Sequence, residues 1–187
     1  AYSLLFLTPT NTMSEIEHIP KDATYDGMLM YTDGSADQSK GIIGWAAHGY
    51  LYNNEVPKRG SGHPKIIPTK LGYGLKSDAQ QKMVSAVGYF NIIGSTTEQG
   101  SNNTAEVKGF LDGLKFARDY RVKHILVRPD SEYVINGFTK WLPSWVKNNY
   151  TKATGEPIAN KEVWREVMAT YSDLLNNGVK IDFKWVK

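Results

Sequence analysis

Met28-Leu29-Met30-Tyr31-Thr32-Asp33-Gly34-Ser35 is the stretch on which the fold turns. Its first five residues form an apolar, strand-like run, and the run ends on an acid followed by two small residues. A second run, Ile42 to Tyr52, is rich in aromatic and β-branched residues, and Gly41, Gly44 and Gly49 predict close approaches or bulges within this pair. A third strand is expected over Val84 to Ile93, with Tyr89 and Phe90 placed to pack on a core face. Beyond it, Val107, Leu111, Leu114 and Ala117 recur at helical spacing, which predicts a helix from about Thr104 to Tyr120. His124 to Val127 reads as a short strand, Ser131 to Thr139 as a helix, and Trp141 to Asn149 as a short aromatic and basic stretch. Asn160 to Leu175 is a longer helix stopped by Asn176-Asn177-Gly178, and Val179 to Val186 is a last strand. The order β-β-β-α-β-α-α-β implies an α/β fold, a mixed sheet with helices packed on it.

The 187 residues suit one domain, and 41 % hydrophobic with 22 % charged residues is ordinary for a globular chain. No apolar run approaches the roughly 18 residues that span a bilayer, and Leu4-Leu5-Phe6-Leu7 is too short for a signal-peptide core. The expectation is a cytoplasmic protein with no membrane partner. The absence of cysteine excludes disulfides and thiolate metal sites, and His18, His48, His63 and His124 show no ligand spacing. A net charge of +3 is compatible with nucleic acid without demonstrating it. Residues 1–27 lack periodicity and are expected to be an N-terminal extension or leader, with Met13-Ser14-Glu15 reading as a natural start. The segment 53–82 is polar, interrupted by Gly and Pro, and carries Lys58, Arg59, Lys65, Lys70, Lys76 and Lys82. It reads either as a solvated insertion or as a basic flap touching a phosphate backbone.

Three acids stand in distinctive settings: Asp33 after the first strand, Glu106 in Asn102-Asn103-Thr104-Ala105-Glu106, and Asp130 in Pro129-Asp130-Ser131-Glu132-Tyr133. Each has an architectural explanation. Asp33-Gly34 is a hairpin-turn signal, Asn103 and Glu106 have the spacing of a helix capping box, and Asp130 precedes a helix as an N-cap would. Jointly these explanations weaken, because two strands ending in acids and a helix opening on a third can bring all three together. Neighbouring strand ends lie about 5 Å apart, and three carboxylates that close repel unless a cation intervenes. Hard oxygen donors without His or Cys suit Mg²⁺ or Mn²⁺, which serve phosphodiester chemistry.

Tyr31-Thr32-Asp33-Gly34-Ser35, Asn102-Asn103-Thr104-Ala105-Glu106, Asp130-Ser131-Glu132-Tyr133-Val134 followed by Gly137, Lys140-Trp141 and a closing Lys184-Trp185-Val186-Lys187 together resemble type 1 ribonuclease H. The similarity runs from about Met28 to Lys187, which makes 28–187 the expected domain. The resemblance implies a five-stranded mixed sheet flanked by helices and an endonuclease that hydrolyses the RNA strand of RNA–DNA hybrids. The products implied carry 5′-phosphate and 3′-hydroxyl ends. By motif position it makes Asp33, Glu106 and Asp130 the metal-binding carboxylates for two Mg²⁺ ions about 4 Å apart, one activating water and one stabilising the leaving oxygen. It places Asn102 and Asn103 at the minor groove and the 2′-hydroxyls, with Gly34 and Ser35 also against the substrate. Trp141 matches an aromatic that packs on the DNA-strand backbone, whose alternative is a half-buried core tryptophan. Lys140, Lys147 and Lys152 around Trp145 and Tyr150 resemble a basic handle for the DNA strand, and as a charge cluster alone read as a solvated face.

Three departures from the pattern carry consequences. The basic segment 53–82 is long for the family, and Glu132 stands where a neutral RNA-contacting side chain is common. The family also continues past Trp-Val-Lys with a Gly-His loop and a fourth carboxylate on a terminal helix. Without them the leaving-group metal is expected to bind weakly, and a second chain or segment would complete the fold. The alternatives are therefore a metal-dependent ribonuclease H, a non-catalytic hybrid-binding module of the same fold, and a DNA nuclease that the Asn102-Asn103 pair disfavours.

Overall fold

A computed structural model describes residues 10–17, 19–53, 67–71 and 82–184. The run that opens at Met28 becomes strand β2 (Gly27–Asp37), and its hairpin partner is β3 (Ile42–Asn53). β5 (Lys82–Thr96) pairs antiparallel with the far edge of β3. At 15 residues it is long enough to carry two short strands end to end on its outer edge. β1 (Thr10–Glu17) takes the stretch Tyr89–Thr96, and β4 (Ile67–Leu71) takes Lys82–Ala86. On the other side β6 (His124–Pro129) and β7 (Lys180–Phe183) add in parallel, giving the order β1-β5-β3-β2-β6-β7. The sheet is mixed, as expected, and among the described residues it has seven strands where five were implied. The two additions come from segments read as an extension and as an insertion: 10–17 closes one edge, and 67–71 lies within 53–82. Neither stretch, TNTMSEIE nor IPTKL, has an alternating apolar pattern strong enough to announce a strand. Residues 54–66, 72–81 and 185–187, with His18, lie outside the described residues, so the basic flap and the closing Trp-Val-Lys have no structural account.

Helix α1 (Asn102–Asp119) lays its apolar stripe across the sheet. Val107, Phe110, Leu111, Leu114 and Ala117 pack with Met28, Met30, Ala47, Leu51, Phe90 and Ile92 in the main core. Burying a side chain of this size contributes about 1.5–3 kcal/mol each, so this face dominates the stability of the domain. α4 (Lys161–Asn176) adds Val163, Trp164, Val167 and Leu174 to the same core. It stops where expected, at Gly178, whose φ of 74° suits the left-handed turn that ends a helix. The two short elements expected over 131–149 are instead one continuous stretch. α2 (Glu132–Asn136) runs through a π-helical turn (Gly137–Trp141) into α3 (Leu142–Lys147). Gly137 is buried where a Cβ would meet the Trp164 ring, so this turn is shaped by tertiary packing. The opposite sheet face carries a smaller cluster of Leu29, Tyr52 and Leu126 with Tyr31 and Tyr50 against it. Among the described residues no helix is long and apolar enough to cross a membrane.

α1 begins two residues before its periodicity suggests because Ser101 caps it. The Ser101 hydroxyl accepts from Thr104 N–H at 3.3 Å, and the Thr104 hydroxyl accepts in return from Ser101 N–H at 2.9 Å. Ser101→Ala is expected to lower stability by about 1 kcal/mol, the usual worth of an N-cap side chain, measured as a shift in denaturant midpoint at unchanged slope.

Candidate active site

The architectural duties that the three acids could have served are performed by other residues. β2 does not turn at Asp33-Gly34; it continues to Asp37, with Asp33 opposite Ala46 in the ladder. The hairpin acid is Asp37, whose carboxylate accepts from Ser39 N–H, Lys40 N–H and the Ser39 hydroxyl. Those bonds, the Ser39 hydroxyl first, hold the Asp37 carboxyl below its ordinary range. The capping box at α1 is Ser101 with Thr104 rather than Asn103 with Glu106. The cap of α2 is Ser131, which accepts from Val134 N–H at 3.4 Å, rather than Asp130. Asp33, Glu106 and Asp130 are thereby released from capping and turn roles.

The sheet brings them together. β2 and β6 run parallel with Thr32 opposite Pro129, so the next residue on each strand is an acid: Asp33 on one and Asp130 on the other. Parallel neighbours lie about 4.8 Å apart, so the two backbones carry their acids at adjacent positions, Asp33 within β2 and Asp130 just past the end of β6. α1 approaches β2 closely enough to add the third. A Cβ at Gly34 would lie 2.5 Å from the Ala105 carbonyl carbon and 2.6 Å from Glu106 N, so only glycine lets the helix sit this low. Asp33 and Asp130 are exposed and Glu106 is half-buried.

The electrostatics follow from that placement. Burial, then the negative charge of Asp33, then that of Asp130 push the Glu106 carboxyl up to about 7, against a weaker opposing pull from Gly34 N–H. The same N–H donates to Asp33 Oδ1 at 2.9 Å. Glu106 Oε2 is buried and has no hydrogen-bond partner among the described residues. A buried carboxylate oxygen left without a donor costs about 1–3 kcal/mol, and a cation at the mouth of the cluster would remove that cost and the repulsion together. Among the described residues no three His, Asp or Glu side chains form a ready cage for an ion as they stand. The donor set itself, carboxylate oxygens without imidazole or thiolate, is that of a hard divalent cation.

Around the acids the other expected site residues divide into two groups. Asn102 and Asn103 are both exposed at the start of α1, beside the cluster. Asn102 Oδ1 accepts from Ala36 N–H at 2.7 Å, tying the helix start to β2. Ser35 is exposed next to Gly34. The second group lies on the stretch that follows Asp130. Trp141 is 40 % exposed, tilted against Tyr133 at 6.1 Å and Trp145 at 5.8 Å, and Trp145 leans on buried Trp164 at 5.2 Å. Trp141 is therefore both a member of an aromatic stack and an available surface ring. Lys140 and Lys147 are exposed on the same stretch, as is Glu132 at the start of α2. The two groups are linked through Asn160, which accepts from the Thr104 hydroxyl at 2.6 Å and donates to the Tyr133 hydroxyl at 3.1 Å. Sequence reading passed over Asn160; its φ of 59° has no local sequence signal beyond the tolerance of asparagine for that region.

A mixed sheet with acids at adjacent positions of two parallel central strands, and a third on the helix that crosses them, belongs to an α/β protein of the ribonuclease H fold. The solution structure of the PFV RNase H domain is similar to it, with a TM-score of 0.50 over 87 % of this chain and 80 % of that domain at 16 % identity. The RNase H family matches residues 25–187, and the chain belongs to that family, a family of ribonucleases. A relative from Haemophilus ducreyi, Ribonuclease HI, is 32 % identical over 64 % of this chain and 68 % of its own length. Ribonuclease H of Dichelobacter nodosus is 40 % identical over 46 % of this chain and 53 % of its own length.

Proposed function

We propose that this chain is a metal-dependent endonuclease that hydrolyses the RNA strand of RNA–DNA hybrids, leaving 5′-phosphate and 3′-hydroxyl ends. Asp33, Glu106 and Asp130 would hold the divalent cation, Mg²⁺ or Mn²⁺. Bound there, the metal supplies a Lewis acid for the scissile phosphodiester and a nucleophilic water. The remaining work belongs to side chains of this chain. Asn102 and Asn103 present amide donors and acceptors where a minor groove would lie, and the 2′-hydroxyl is the group that distinguishes RNA there. Gly34 and Ser35 offer a surface with little side chain to obstruct the backbone of the strand being cut. Trp141 gives the DNA strand an apolar face, and Lys140 and Lys147 give its phosphates positive charge. Water adds to phosphorus, the bond to the 3′ oxygen breaks, and that oxygen leaves as a hydroxyl after taking up a proton.

The observation that carries this reading is the Glu106 carboxylate, pushed up to about 7 by burial and then by Asp33 and Asp130, with one buried oxygen lacking a donor among the described residues. A module that only binds hybrid gains nothing from negative charge gathered where phosphates must approach. The relatives named Ribonuclease H and HI point the same way. The test is incubation of the chain with an end-labelled RNA–DNA hybrid, duplex DNA and duplex RNA in Mg²⁺, with and without EDTA. EDTA-sensitive cleavage of the RNA in hybrid alone is expected. Hybrid binding with no cleavage in either Mg²⁺ or Mn²⁺ would reduce the protein to a binding module, and cleavage of duplex DNA would reassign its substrate.

A further inference from the structure

Side-chain hydrogen bonds tie α1 to the sheet on either side of Glu106. One is at the first residue of the helix, from Ala36 N–H to Asn102 Oδ1. The other lies six residues beyond Glu106, where Trp45 Nε1–H donates to Asp112 Oδ2 at 2.7 Å. These anchors differ in exposure. Asn102 is exposed and, on the reading above, faces the substrate, whereas Trp45 is only 5 % exposed. A hybrid can compete for the first bond but not for the second.

Trp45 is placed to act on the position of Glu106. It pairs with Gly34 across the β2–β3 ladder, and Gly34 is the residue against which Ala105 and Glu106 rest. Its side chain packs in one small cluster with Ile43 and Ala105. On the neighbouring strand Gly94, its partner in the β3–β5 ladder, leaves the space that the indole occupies. Lys108, one turn before Asp112, lies over the ring at 5.2 Å and also reaches Glu98 at 3.7 Å. α1 meets β2 and β3 through its apolar side chains, Val107, Phe110, Leu111, Leu114 and Ala117, except along one line. There a Cβ at Gly109 would lie 2.9 Å from Ala46 O, and one at Gly113 would collide with Met30. Apolar packing is non-directional and tolerates small slides of the helix, whereas a bond between an indole N–H and a carboxylate is directional and narrows them.

Burying a carboxylate is costly unless it is hydrogen-bonded and paired with opposite charge. Burial pushes the Asp112 carboxyl up, opposed by the Trp45 bond and by Lys115 and Lys108. Asp112 is not among the groups acting on Glu106, so its influence there is geometric.

We infer that Trp45 and Asp112 form a positioning pair that sets the register of α1 on the sheet, and through it the place of the Glu106 carboxylate opposite Asp33 and Asp130. The inference rests on the reading of Glu106 as a metal ligand. Partners that orient a ligand from behind command about 10- to 100-fold in metal affinity, and an effect of about tenfold is expected here.

The experiment is direct titration of the free protein with Mn²⁺, followed by electron paramagnetic resonance, for the wild type and for Asp112→Ala, Asp112→Asn, Trp45→Phe and Glu106→Gln. Asp112→Ala and Trp45→Phe should each weaken Mn²⁺ binding about tenfold, while Asp112→Asn, which keeps an acceptor oxygen, should remain within about twofold of wild type. Thermal denaturation of the same samples, with titrations run well below every midpoint, separates lost fold from lost register. Trp45→Phe preserves bulk and guards against an Asp112→Ala variant that does not fold. Lowered melting temperature with unchanged Mn²⁺ affinity in both variants would overturn the inference and leave the pair a stabilising contact. If Glu106→Gln binds Mn²⁺ as the wild type does, the metal-ligand reading itself has failed, and the positioning role falls with it.

Discussion

Glu106→Gln should lower hybrid cleavage by about a thousandfold or more, because members of a catalytic unit are individually indispensable, and should at the same time stabilise the metal-free protein. The two effects have one cause. In the folded, metal-free chain the Glu106 carboxyl is raised to about 7 from an ordinary 4.5 by burial and by Asp33 and Asp130. Between those values the folded state keeps a proton that the unfolded chain has released. Stability contributed by that proton is complete below about 4.5 and is lost as pH rises through about 7. Above 7 the wild type carries the full cost of three neighbouring charges, whereas a glutamine carries none. Equilibrium unfolding in EDTA at pH 8 should therefore show the variant more stable, on the order of 2 kcal/mol, with the difference shrinking toward pH 5. Adding Mg²⁺ should stabilise the wild type and leave the variant nearly unchanged. Metal and proton compete for the same oxygen, so Mg²⁺ affinity of the wild type should fall as pH is lowered through about 7. A variant whose stability runs parallel to wild type from pH 5 to pH 8 would show that Glu106 carries no such burden.

The second large effect is expected from a residue with no side chain. Gly34→Ala would place a Cβ 2.5 Å from the backbone of Ala105 and 2.6 Å from Glu106 N. The obstacle is helix backbone, which cannot swing aside as a long side chain can, so either β2 or the first turns of α1 must move. Overpacking of this kind costs about 1–3 kcal/mol. The functional loss should be larger than the stability loss implies. The displaced atoms belong to Glu106 itself, and a misplacement of about 1 Å in a reacting constellation can cost about a hundredfold. Cleavage at saturating hybrid, measured beside the melting temperature, checks this: activity should fall by about two orders of magnitude at temperatures where the variant is still folded. Loss of activity only where the protein also unfolds would mean that Gly34 serves packing alone.

Why Gly34 is a glycine shows where the sequence misleads. Asp33-Gly34 has the form of a hairpin turn, yet β2 runs on to Asp37, and the glycine is there for the helix crossing above it. Local pattern records a permissive residue but not what it permits. The same holds at the cap of α1, where Ser101, Asn102, Asn103 and Thr104 are all residue types that suit a helix start. Hydrogen-bond geometry selects Ser101 with Thr104, and this leaves Glu106 without a capping role. The sequence divides 131–149 into a helix ending near Thr139 and an aromatic, basic stretch from Trp141, but in the fold Gly137 makes room for Trp164 and the two are joined by a π-helical turn. Trp45 and Asp112, 67 residues apart, share no pattern that would link them.

What the chain determines by itself is the main helices, the central strands and the identity of the acids. Apolar spacing over Val107–Ala117 specifies the helix face, the runs at Met28 and Ile42 specify the paired strands, and the motifs around Asp33, Glu106 and Asp130 specify the family. These are properties of neighbours in sequence, carried by periodicity and side-chain chemistry. Convergence is a different kind of fact. That Asp33 and Asp130 follow a shared ladder pair, that Gly34 lets Glu106 join them, and that residues 10–17 and 67–71 extend the sheet depend on which strands pair and in what register. Register is decided by the packing of the sheet against α1, because a slip of one residue would turn every buried side chain of a strand to the wrong face.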